Sequence, residues 1–151
     1  MAITISDAGP LIALAQINRV HLLDQLFDQV QIPNAVIQEC LAKPGEDTKI
    51  IQQAVEDNKL NIISVNVAHE FPRILGKGEC EALQLALKNN QSLLIIDDQL
   101  ARRYATRLKL NFIGTARILT LAEQNGFISD AKSSLLSMVE NGYRISPKFL
   151  G

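Results

Sequence analysis

The sequence predicts one α/β domain over residues 1–151, with a mainly parallel sheet of about five strands. Short runs rich in aliphatic residues alternate with longer runs of helical periodicity, and this alternation is typical of a parallel sheet connected by helices. The clearest strand is Ser92 to Ile96, an apolar run of the kind that is buried on both faces of a sheet. The composition, with 47% hydrophobic and 21% charged residues, is that of an average globular domain.

Five segments are predicted as strands because they are short, rich in aliphatic residues and bounded by turn residues. In chain order they are Ala2 to Ser6, Val30 to Ile32, Leu60 to Val65, Ser92 to Ile96 and Asn111 to Ile113.

Helices are predicted in the segments between these strands. The first helix begins at Gly9-Pro10, since proline is tolerated at the first helical position. Apolar residues three and four positions apart predict the others, which are His21 to Phe27, Pro33 to about Lys43, Glu46 to Asn58, Glu79 to Lys88, Asp98 to about Leu108, Thr115 to Gln124 and about Asp130 to Glu140. We expect Gly126 and Gly142 to end the last two helices and Ser129 to cap the final one.

Composition excludes several classes of protein. No apolar run approaches the roughly 18 residues of a membrane-spanning helix, and no basic leader precedes an apolar stretch at Met1. Cys40 and Cys80 lack the spacing of a disulfide framework or a zinc ribbon, so each is expected to be a small apolar residue. These features favour a cytoplasmic protein. The net charge of −1 excludes a protein that is basic over its whole surface.

Acidic residues follow strands at positions that a parallel sheet brings together. Asp7 lies just after the first predicted strand, and Asp97 and Asp98 lie just after the fourth. Glu79 opens the helix that leads into the fourth strand, which places it at the same carboxyl edge. Ligands of such sheets bind beyond the carboxyl ends of the strands, so this edge is the candidate site.

Two further glutamates are placed by helical periodicity. Glu39 flanks the buried stripe of its helix, about 60° from Val36 at roughly 100° per residue. Glu79 shares the inward face of its own helix, whereas Glu81 points away from that face and is expected to be a solvated acid between lysines.

Each aspartate also has a structural interpretation, because Asp7 and Asp97 stand where they could cap the helices that follow them. Carboxylates gathered at one edge repel each other unless a cation compensates them. Oxygen ligands without a convergent His or Cys favour Mg²⁺ or Mn²⁺.

The order and spacing of these motifs resemble the PIN-domain nucleases over nearly the whole chain. The resemblance is carried by Ile5-Ser6-Asp7-Ala8-Gly9-Pro10-Leu11-Ile12, by the Val36 to Leu41 helix with Glu39, by Gly78-Glu79-Cys80-Glu81-Ala82 and by Ile96-Asp97-Asp98-Gln99. Gly114-Thr115 and Gly142-Tyr143-Arg144-Ile145-Ser146 look like a prokaryotic subgroup of the family.

This resemblance implies a five-stranded parallel sheet with helices on both sides and an endoribonuclease dependent on Mg²⁺ or Mn²⁺. Its metal-binding and catalytic acids would be Asp7, Glu39, Glu79 and Asp98, with Asp97 and Glu81 as alternates. Many relatives are VapC-like toxins with a small antitoxin partner, and many are homodimers.

The chain departs from many relatives in having Ala8-Gly9, where they carry Ser or Thr, and in having Glu at the second and third acidic positions. A binding module that keeps the fold without catalysis is therefore the alternative function. A receiver domain is disfavoured, because its paired aspartates follow the first strand and not the fourth.

Basic residues are concentrated in one segment. Arg73 to Arg117 holds eight basic and four acidic residues, a net charge of +4, and the remainder carries −5. We expect RNA phosphates to be bound within this segment by Lys77, Arg102, Arg103 and Arg107. An ion pair of Arg102 with Asp98, four residues earlier, is the structural alternative.

Gly76-Lys77-Gly78 lacks the other residues of a Walker motif. His21 and His69 are isolated and are expected to be structural. The 5% aromatic content argues against an extensive base-stacking platform.

Overall fold

The computed structural model describes residues 2–144, which contain a five-stranded sheet in which every strand is parallel to its neighbours. The strands are β1 (Ile3–Ser6), β2 (Gln29–Pro33), β3 (Asn61–Ile63), β4 (Leu93–Ile95) and β5 (Asn111–Ile113). Their order across the sheet is β3-β2-β1-β4-β5. The chain therefore winds outward from β1 in one direction and then returns to place β4 on its other side.

Six helices connect the strands and two follow β5, which makes eight within the described residues. They are α1 (Ala8–Gln16), α2 (His21–Leu26), α3 (Asn34–Cys40), α4 (Glu46–Glu56), α5 (Lys77–Lys88), α6 (Gln99–Arg107), α7 (Thr115–Gln124) and α8 (Ala131–Glu140). No helix in this part of the chain is long and apolar enough to span a bilayer.

The helices cover both faces of the sheet, and alternate residues of the central strands supply the two apolar cores. Ile95 of β4 packs in one core with side chains of α1, α3 and α7, whereas Leu94 and Ile96 pack in the other with side chains of α5 and α6. This alternation is the two-residue period of a strand that is buried on both faces. The predicted α/β class with a parallel sheet is confirmed.

Several predicted boundaries differ from the structure. The helix that follows β1 begins at Ala8, so Pro10 is its third residue and not its first. Pro33 ends β2 and does not start the next helix, which is also shorter than predicted and ends at Cys40. The start of α5 lies two residues before Glu79. Strands β3 and β4 are shorter than the segments predicted from their apolar runs.

The predicted ends of the last two helices are confirmed at both glycines. Gly126 and Gly142 have φ values of 75° and 97°, in the left-handed region that glycine adopts without a steric penalty. The predicted cap of α8 is wrong, because Asp130 and not Ser129 is its N-cap and accepts the Lys132 N–H through its side chain. Ile145 and Ser146, the end of the closing motif, lie outside the described residues.

Candidate active site

The candidate site lies at the carboxyl ends of β1 and β4, which are neighbours in the sheet. The Asp7 N–H donates to the Ile95 carbonyl at 3.0 Å, so the backbone pairing continues to the first candidate acid. The connections of β1 and β4 leave toward opposite edges of the sheet. Such a point leaves an open crevice between the adjacent loops, and it is where ligands of parallel sheets bind.

Asp7 is the most buried of the four candidate acids, with 7% of its surface exposed. It occupies the N-cap position of α1, but its side chain makes no capping hydrogen bond, so capping does not account for this residue. Burial raises the pKa of Asp7 from its usual value near 3.8 to about 7. The adjacent Ala8 N–H offsets part of this shift, and the negative charges of Glu79, Glu39 and Asp97 add to it.

Glu39 is brought to the same place by the close packing of α3 on α5. A Cβ atom at Gly78 would lie 3.3 Å from Val36 Cγ2 and 3.4 Å from Glu39 Oε1. Glycine at this position therefore lets the two helices approach, and it places the exposed Glu39 carboxylate beside the first turn of α5. The predicted position of Glu39 at the edge of its buried stripe agrees with this geometry.

Glu79 lies in the first turn of α5, where its Oε1 accepts the Gly76 N–H at 2.8 Å. Burial is the main cause that raises the pKa of Glu79, and the Gly76 N–H acts against it. The negative charge of Asp98, a side-chain hydrogen bond with Asp98 and the charge of Glu39 raise that pKa further.

Asp98 is the N-cap residue of α6, and its Oδ2 accepts the Ala101 N–H at 2.9 Å. Its side chain is exposed and lies beside Glu79. The structure thus brings Asp7, Glu39, Glu79 and Asp98 together from four separate segments. Within residues 2–144, no lysine or arginine side chain forms an ion pair with any of these four acids.

Asp97 has different partners from its neighbour Asp98. Its Oδ1 accepts the Thr115 N–H at 2.9 Å and its Oδ2 accepts the Thr115 hydroxyl at 2.6 Å. These bonds satisfy the first turn of α7 and join it to the end of β4. Asp97 therefore holds the start of α7, whose N-cap residue is Gly114, and the structural alternative that Asp97 caps the next helix is wrong, because Asp98 is the N-cap residue of α6.

Arg102 of α6 also contacts Asp97. Its Nε donates to the Ile96 carbonyl at 2.8 Å, and its terminal nitrogen lies 3.7 Å from Asp97 Oδ1. The guanidinium also lies over the Phe112 ring, 5.6 Å from its centroid. The ion pair of Arg102 is thus made with Asp97, and the predicted structural alternative of a pair with Asp98 is wrong.

Asp97, Arg102, Gly114 and Thr115 form a group of contacts that we call the anchor, and Tyr143 lies next to it. A Cβ atom at Gly114 would overlap the Arg102 guanidinium and lie 2.9 Å from Asp97 Oδ1. The half-buried Tyr143 lies beside Asp97, and burial followed by the charge of Asp97 raises its pKa. The sequence contained Gly114-Thr115 as a motif but gave no indication of this contact, because its members are distant in the chain.

Glu81 is buried, with 7% exposure, so its expected position as a solvated acid between lysines is wrong. Its Oε1 accepts the Ala35 N–H at 2.9 Å, in the first turn of α3. The side of α5 that was predicted to face solvent is covered by α3. Glu81 therefore joins the two helices that carry Glu39 and Glu79.

The predicted basic residues divide into two groups. Lys77, at the first position of α5, and Arg103 and Arg107, on α6, are exposed. Arg102 is engaged in the anchor, and 28% of its side chain is exposed.

The four acids supply only oxygen donors, which suits Mg²⁺ or Mn²⁺. As the side chains are oriented, no group of three or more His, Cys, Asp or Glu residues within 2–144 is arranged to hold a metal ion. Glu79 Oε1 and Asp98 Oδ2 each accept a backbone N–H, and the two side chains also contact each other. A bound cation would relieve the repulsion that helps to raise the pKa of Asp7 and Glu79, so the chemistry of the donor set fits a divalent cation.

Comparison with known proteins identifies the same architecture. The DUF3368 family model, described as a PIN domain, matches residues 3–151. A solved structure of a PilT N-terminus domain protein from the hyperthermophilic archaeon Sulfolobus solfataricus is similar, with a TM-score of 0.59 and 18% sequence identity. The alignment covers 80% of this chain and 92% of the other, and at this identity it shows the fold alone. No curated protein matches the chain.

Proposed function

Because the chain belongs to the PIN domain family, we propose that it is an endoribonuclease that depends on Mg²⁺ or Mn²⁺ and hydrolyses RNA phosphodiester bonds. PIN domains are generally nucleases, and these nucleases generally use divalent metals. The observation that carries the proposal is the meeting of four carboxylates at the carboxyl edge of β1 and β4 without a compensating side-chain cation in the described part of the chain. Oxygen donors that repel each other form a site for a divalent cation.

Asp7, Glu39, Glu79 and Asp98 would hold the metal. When bound there, Mg²⁺ or Mn²⁺ polarises the phosphodiester, lowers the pKa of the attacking water and stabilises the leaving oxygen. Asp7 is fixed by the backbone pairing of β1 with β4, whereas Glu39 and Asp98 are exposed to solvent. Asp97 and Glu81 serve as structural partners of α7 and α3, and we assign neither of them to the metal.

The RNA backbone would be held by the exposed cations around this edge. Lys77 stands at the start of α5, two residues before Glu79, and Arg103 and Arg107 lie on α6. These charges attract the phosphates of any RNA and do not by themselves distinguish one RNA sequence from another. Arg102 acts through Asp97 as a positioning residue that joins α6, β4 and α7.

A catalytically weak binding module is the second candidate function. The Ala8-Gly9 pair offers no hydroxyl next to Asp7 that could orient a water molecule. The Ser6 hydroxyl does not replace it, because Ser6 is fully buried and donates to the Asp7 carbonyl at 3.0 Å. RNA binding would then remain without hydrolysis.

RNA cleavage in Mn²⁺ or Mg²⁺ separates the two functions. We expect the wild type to cleave unstructured RNA, and we expect a chelator, Asp7→Asn or Asp98→Asn to abolish cleavage. Asp28→Asn is the matched control, because Asp28 is an exposed acid just before β2 at the opposite edge of the sheet. Equal cleavage by wild type and the two active-site variants would overturn the assignment of the site. Binding of RNA without cleavage by the wild type would favour the binding module.

We further propose that the chain is one nuclease domain that acts in the cytoplasm as a homodimeric toxin, with a small antitoxin as its partner. The support for this role is the similarity of its motifs to VapC-like relatives. Induced expression should arrest growth, whereas expression of Asp98→Asn should not. Co-expression of a small neighbouring reading frame should restore growth. Equal arrest by wild type and Asp98→Asn would contradict a toxic nuclease activity.

A further inference from the structure

The connection between β3 and α5, residues 64–76, is a long segment without helix or strand that lies against α5 and α6. Connections of this length inside a compact domain are uncommon and are usually functional. Gln84 of α5 holds the connection, because its Oε1 accepts the N–H groups of Ala68 and His69 at 3.0 and 2.8 Å. Tyr104 of α6 holds it as well, since its hydroxyl donates to the Glu70 carbonyl at 3.3 Å.

These bonds assemble three aromatic rings from two separate segments. The ring centroids of His69 and Phe71 are 4.7 Å apart, those of Phe71 and Tyr104 are 5.5 Å apart, and those of His69 and Tyr104 are 6.1 Å apart. The His69 Nε2 and the Tyr104 hydroxyl are also within 3.3 Å of each other. We call this group the aromatic cluster. Phe71 and Tyr104 rest on the apolar core beneath α5 and α6, and His69 is exposed above it.

The aromatic cluster shares helix α6 with Asp98, one of the four carboxylates. Tyr104 lies six residues after Asp98 along α6, which is about 9 Å at roughly 1.5 Å per residue. One strand of nucleic acid advances about 3.4 Å per nucleotide when its bases are stacked, so this distance corresponds to about three nucleotides. The connection that carries His69 and Phe71 also leads directly into Gly76 and the first turn of α5.

Two exposed arginines lie near Tyr104 on α6, and the exposed Glu70 lies between His69 and Phe71 in the connection. Arg103 and Arg107 stand next to Tyr104 and three residues after it on α6, and both are exposed. A surface that combines aromatic faces with arginines, beside a site for phosphodiester cleavage, has the chemistry that binds single-stranded nucleic acid. Rings stack on bases of any sequence while cations hold the phosphates.

From this arrangement we propose that the aromatic cluster of His69, Phe71 and Tyr104 is a subsite that stacks on an unpaired base of the RNA, within about three nucleotides of the scissile phosphate. The inference rests on the proposed function and adds a substrate requirement, namely that the RNA be unpaired at this base. A paired base is already stacked within its duplex and has no free face for the rings. His69, which looked isolated in the sequence, thereby acquires a role in binding.

The test measures the affinity for a short fluorescent RNA by anisotropy, in chelator, in an Asp98→Asn background that prevents cleavage. We expect His69→Ala and Tyr104→Leu to weaken binding of the single strand by about 5-fold or more, since stacking on aromatic side chains contributes substantially per base. Tyr104→Phe keeps the ring and should bind the RNA nearly as tightly as the parent, which is the Asp98→Asn protein without further changes. Phe127→Ala is the matched control, because Phe127 is also a partly exposed aromatic residue but follows α7, which packs on the opposite face of the sheet.

Abasic substitutions in the RNA identify the stacked base. In the parent, removal of one base near the cleavage position should weaken binding, and in His69→Ala the same removal should have little further effect. Equal affinities of the parent, His69→Ala and Tyr104→Leu for the single strand would overturn the proposal and leave this surface to a protein partner. Equal affinity of the parent for the matched duplex would also overturn it.

The failure of this inference is distinguishable from failure of the proposed function. If wild type cleaves RNA but the cluster variants bind and cleave as it does, only the stacking subsite is wrong. If wild type neither binds nor cleaves RNA, the endoribonuclease proposal itself fails. Thermal unfolding of each variant, followed by circular dichroism, confirms that the differences arise in a folded protein.

Discussion

Asp7 is a carboxylic acid held in an environment that opposes its ionisation. It is buried at the end of a central strand, lacks a capping hydrogen bond and faces other acids. Its pKa is raised to about 7 in the folded chain, whereas an unfolded chain leaves it near 3.8. Ionisation of Asp7 therefore disfavours the folded state when no cation is present.

The sign of this effect predicts a pH dependence of stability. In chelator, the contribution of Asp7 is most favourable below about pH 4, declines as the pH rises and is lost above about pH 7. Asp7→Asn should therefore increase the free energy of unfolding at pH 8, by up to about 4 kcal/mol at roughly 1.4 kcal/mol per pKa unit. The difference in the free energy of unfolding between Asp7→Asn and wild type should shrink toward pH 4. Urea unfolding at pH 8 and pH 4 measures this difference, with Asp28→Asn as the control. A variant that is less stable than wild type at pH 8 would contradict this interpretation.

Gly114 shows how a residue without a side chain can be essential to an ion pair. The space that a Cβ would fill is occupied by the Arg102 guanidinium and Asp97. Gly114→Ala should destabilise the protein by about 1 to 3 kcal/mol, the usual cost of overpacking. Gly9→Ala is the control, because Gly9 is helical and no atom lies within 4 Å of the position that the alanine methyl group would take, and it should be neutral or slightly stabilising. Equal unfolding midpoints for the two variants in urea would argue against the anchor.

The sequence indicated the identities of the acids better than it indicated their partners. Asp7 and Asp98 were expected at the carboxyl edge because strands place residues there. The different roles of Asp97 and Asp98 were not predictable, because the role of Asp97 depends on its hydrogen bonds with Thr115, which follows a different strand. A contact between residues that are 18 positions apart leaves no periodic signal in a single sequence.

At the scale of elements, the start of α5 organises much of the site. This helix contributes Glu79 to the acids, and through Gly78 it approaches α3 closely enough to position Glu39. Glu81, also on α5, accepts a hydrogen bond from the Ala35 N–H of α3. Helical periodicity placed Glu79 on the inward face, where the structure leaves it half-buried, and placed Glu81 in solvent, although Glu81 is buried. A helical wheel identifies one buried face, whereas α5 is covered on two sides, by the sheet and by α3.

These positions predict opposite behaviour for two neighbouring glutamates. Glu81→Ala should lower the free energy of unfolding by about 1 to 3 kcal/mol, because it leaves a buried N–H of α3 without its acceptor. Glu81→Gln retains an acceptor oxygen and should keep most of the stability and all of the nuclease activity. Glu79→Gln should instead lose activity while the protein remains folded. Loss of activity in Glu81→Gln without loss of stability would identify Glu81 as a metal ligand and would contradict the assignment.

At the scale of the whole molecule, the sheet order accounts for the site. Placing β4 beside β1 brings Asp7 and Asp98 together although they are 91 positions apart. The alternation of strands and helices predicted a parallel sheet of about five strands, and the resemblance to PIN-domain nucleases implied helices on both sides of it. The sequence alone did not establish strand order, because crossover connections of similar length can lead to several positions in a sheet.

The uneven distribution of charge predicts how RNA binding responds to salt. The segment Arg73 to Arg117, with its net charge of +4, includes α5 and α6 and the exposed Arg103 and Arg107. Replacing both arginines by Ala should reduce the slope of log affinity against log salt by about 1.4, at roughly 0.7 per phosphate contact. Lys49→Ala on α4 removes an exposed charge elsewhere and should leave the slope unchanged. Equal slopes in a salt titration would exclude these arginines from the phosphate contacts.

The central claim is that Asp7, Glu39, Glu79 and Asp98 form one divalent-metal site from which the adjacent Asp97 is excluded. Calorimetric titration with Mn²⁺ of wild type, Asp98→Asn and Asp97→Asn tests this claim most directly, because the two variants make the same change at neighbouring positions. The account predicts that Asp98→Asn weakens Mn²⁺ binding by at least about tenfold, or about 1.4 kcal/mol, because it removes a charged oxygen ligand, while Asp97→Asn remains close to wild type below its unfolding temperature. Wild-type affinity in Asp98→Asn, or a larger loss in Asp97→Asn, would contradict it.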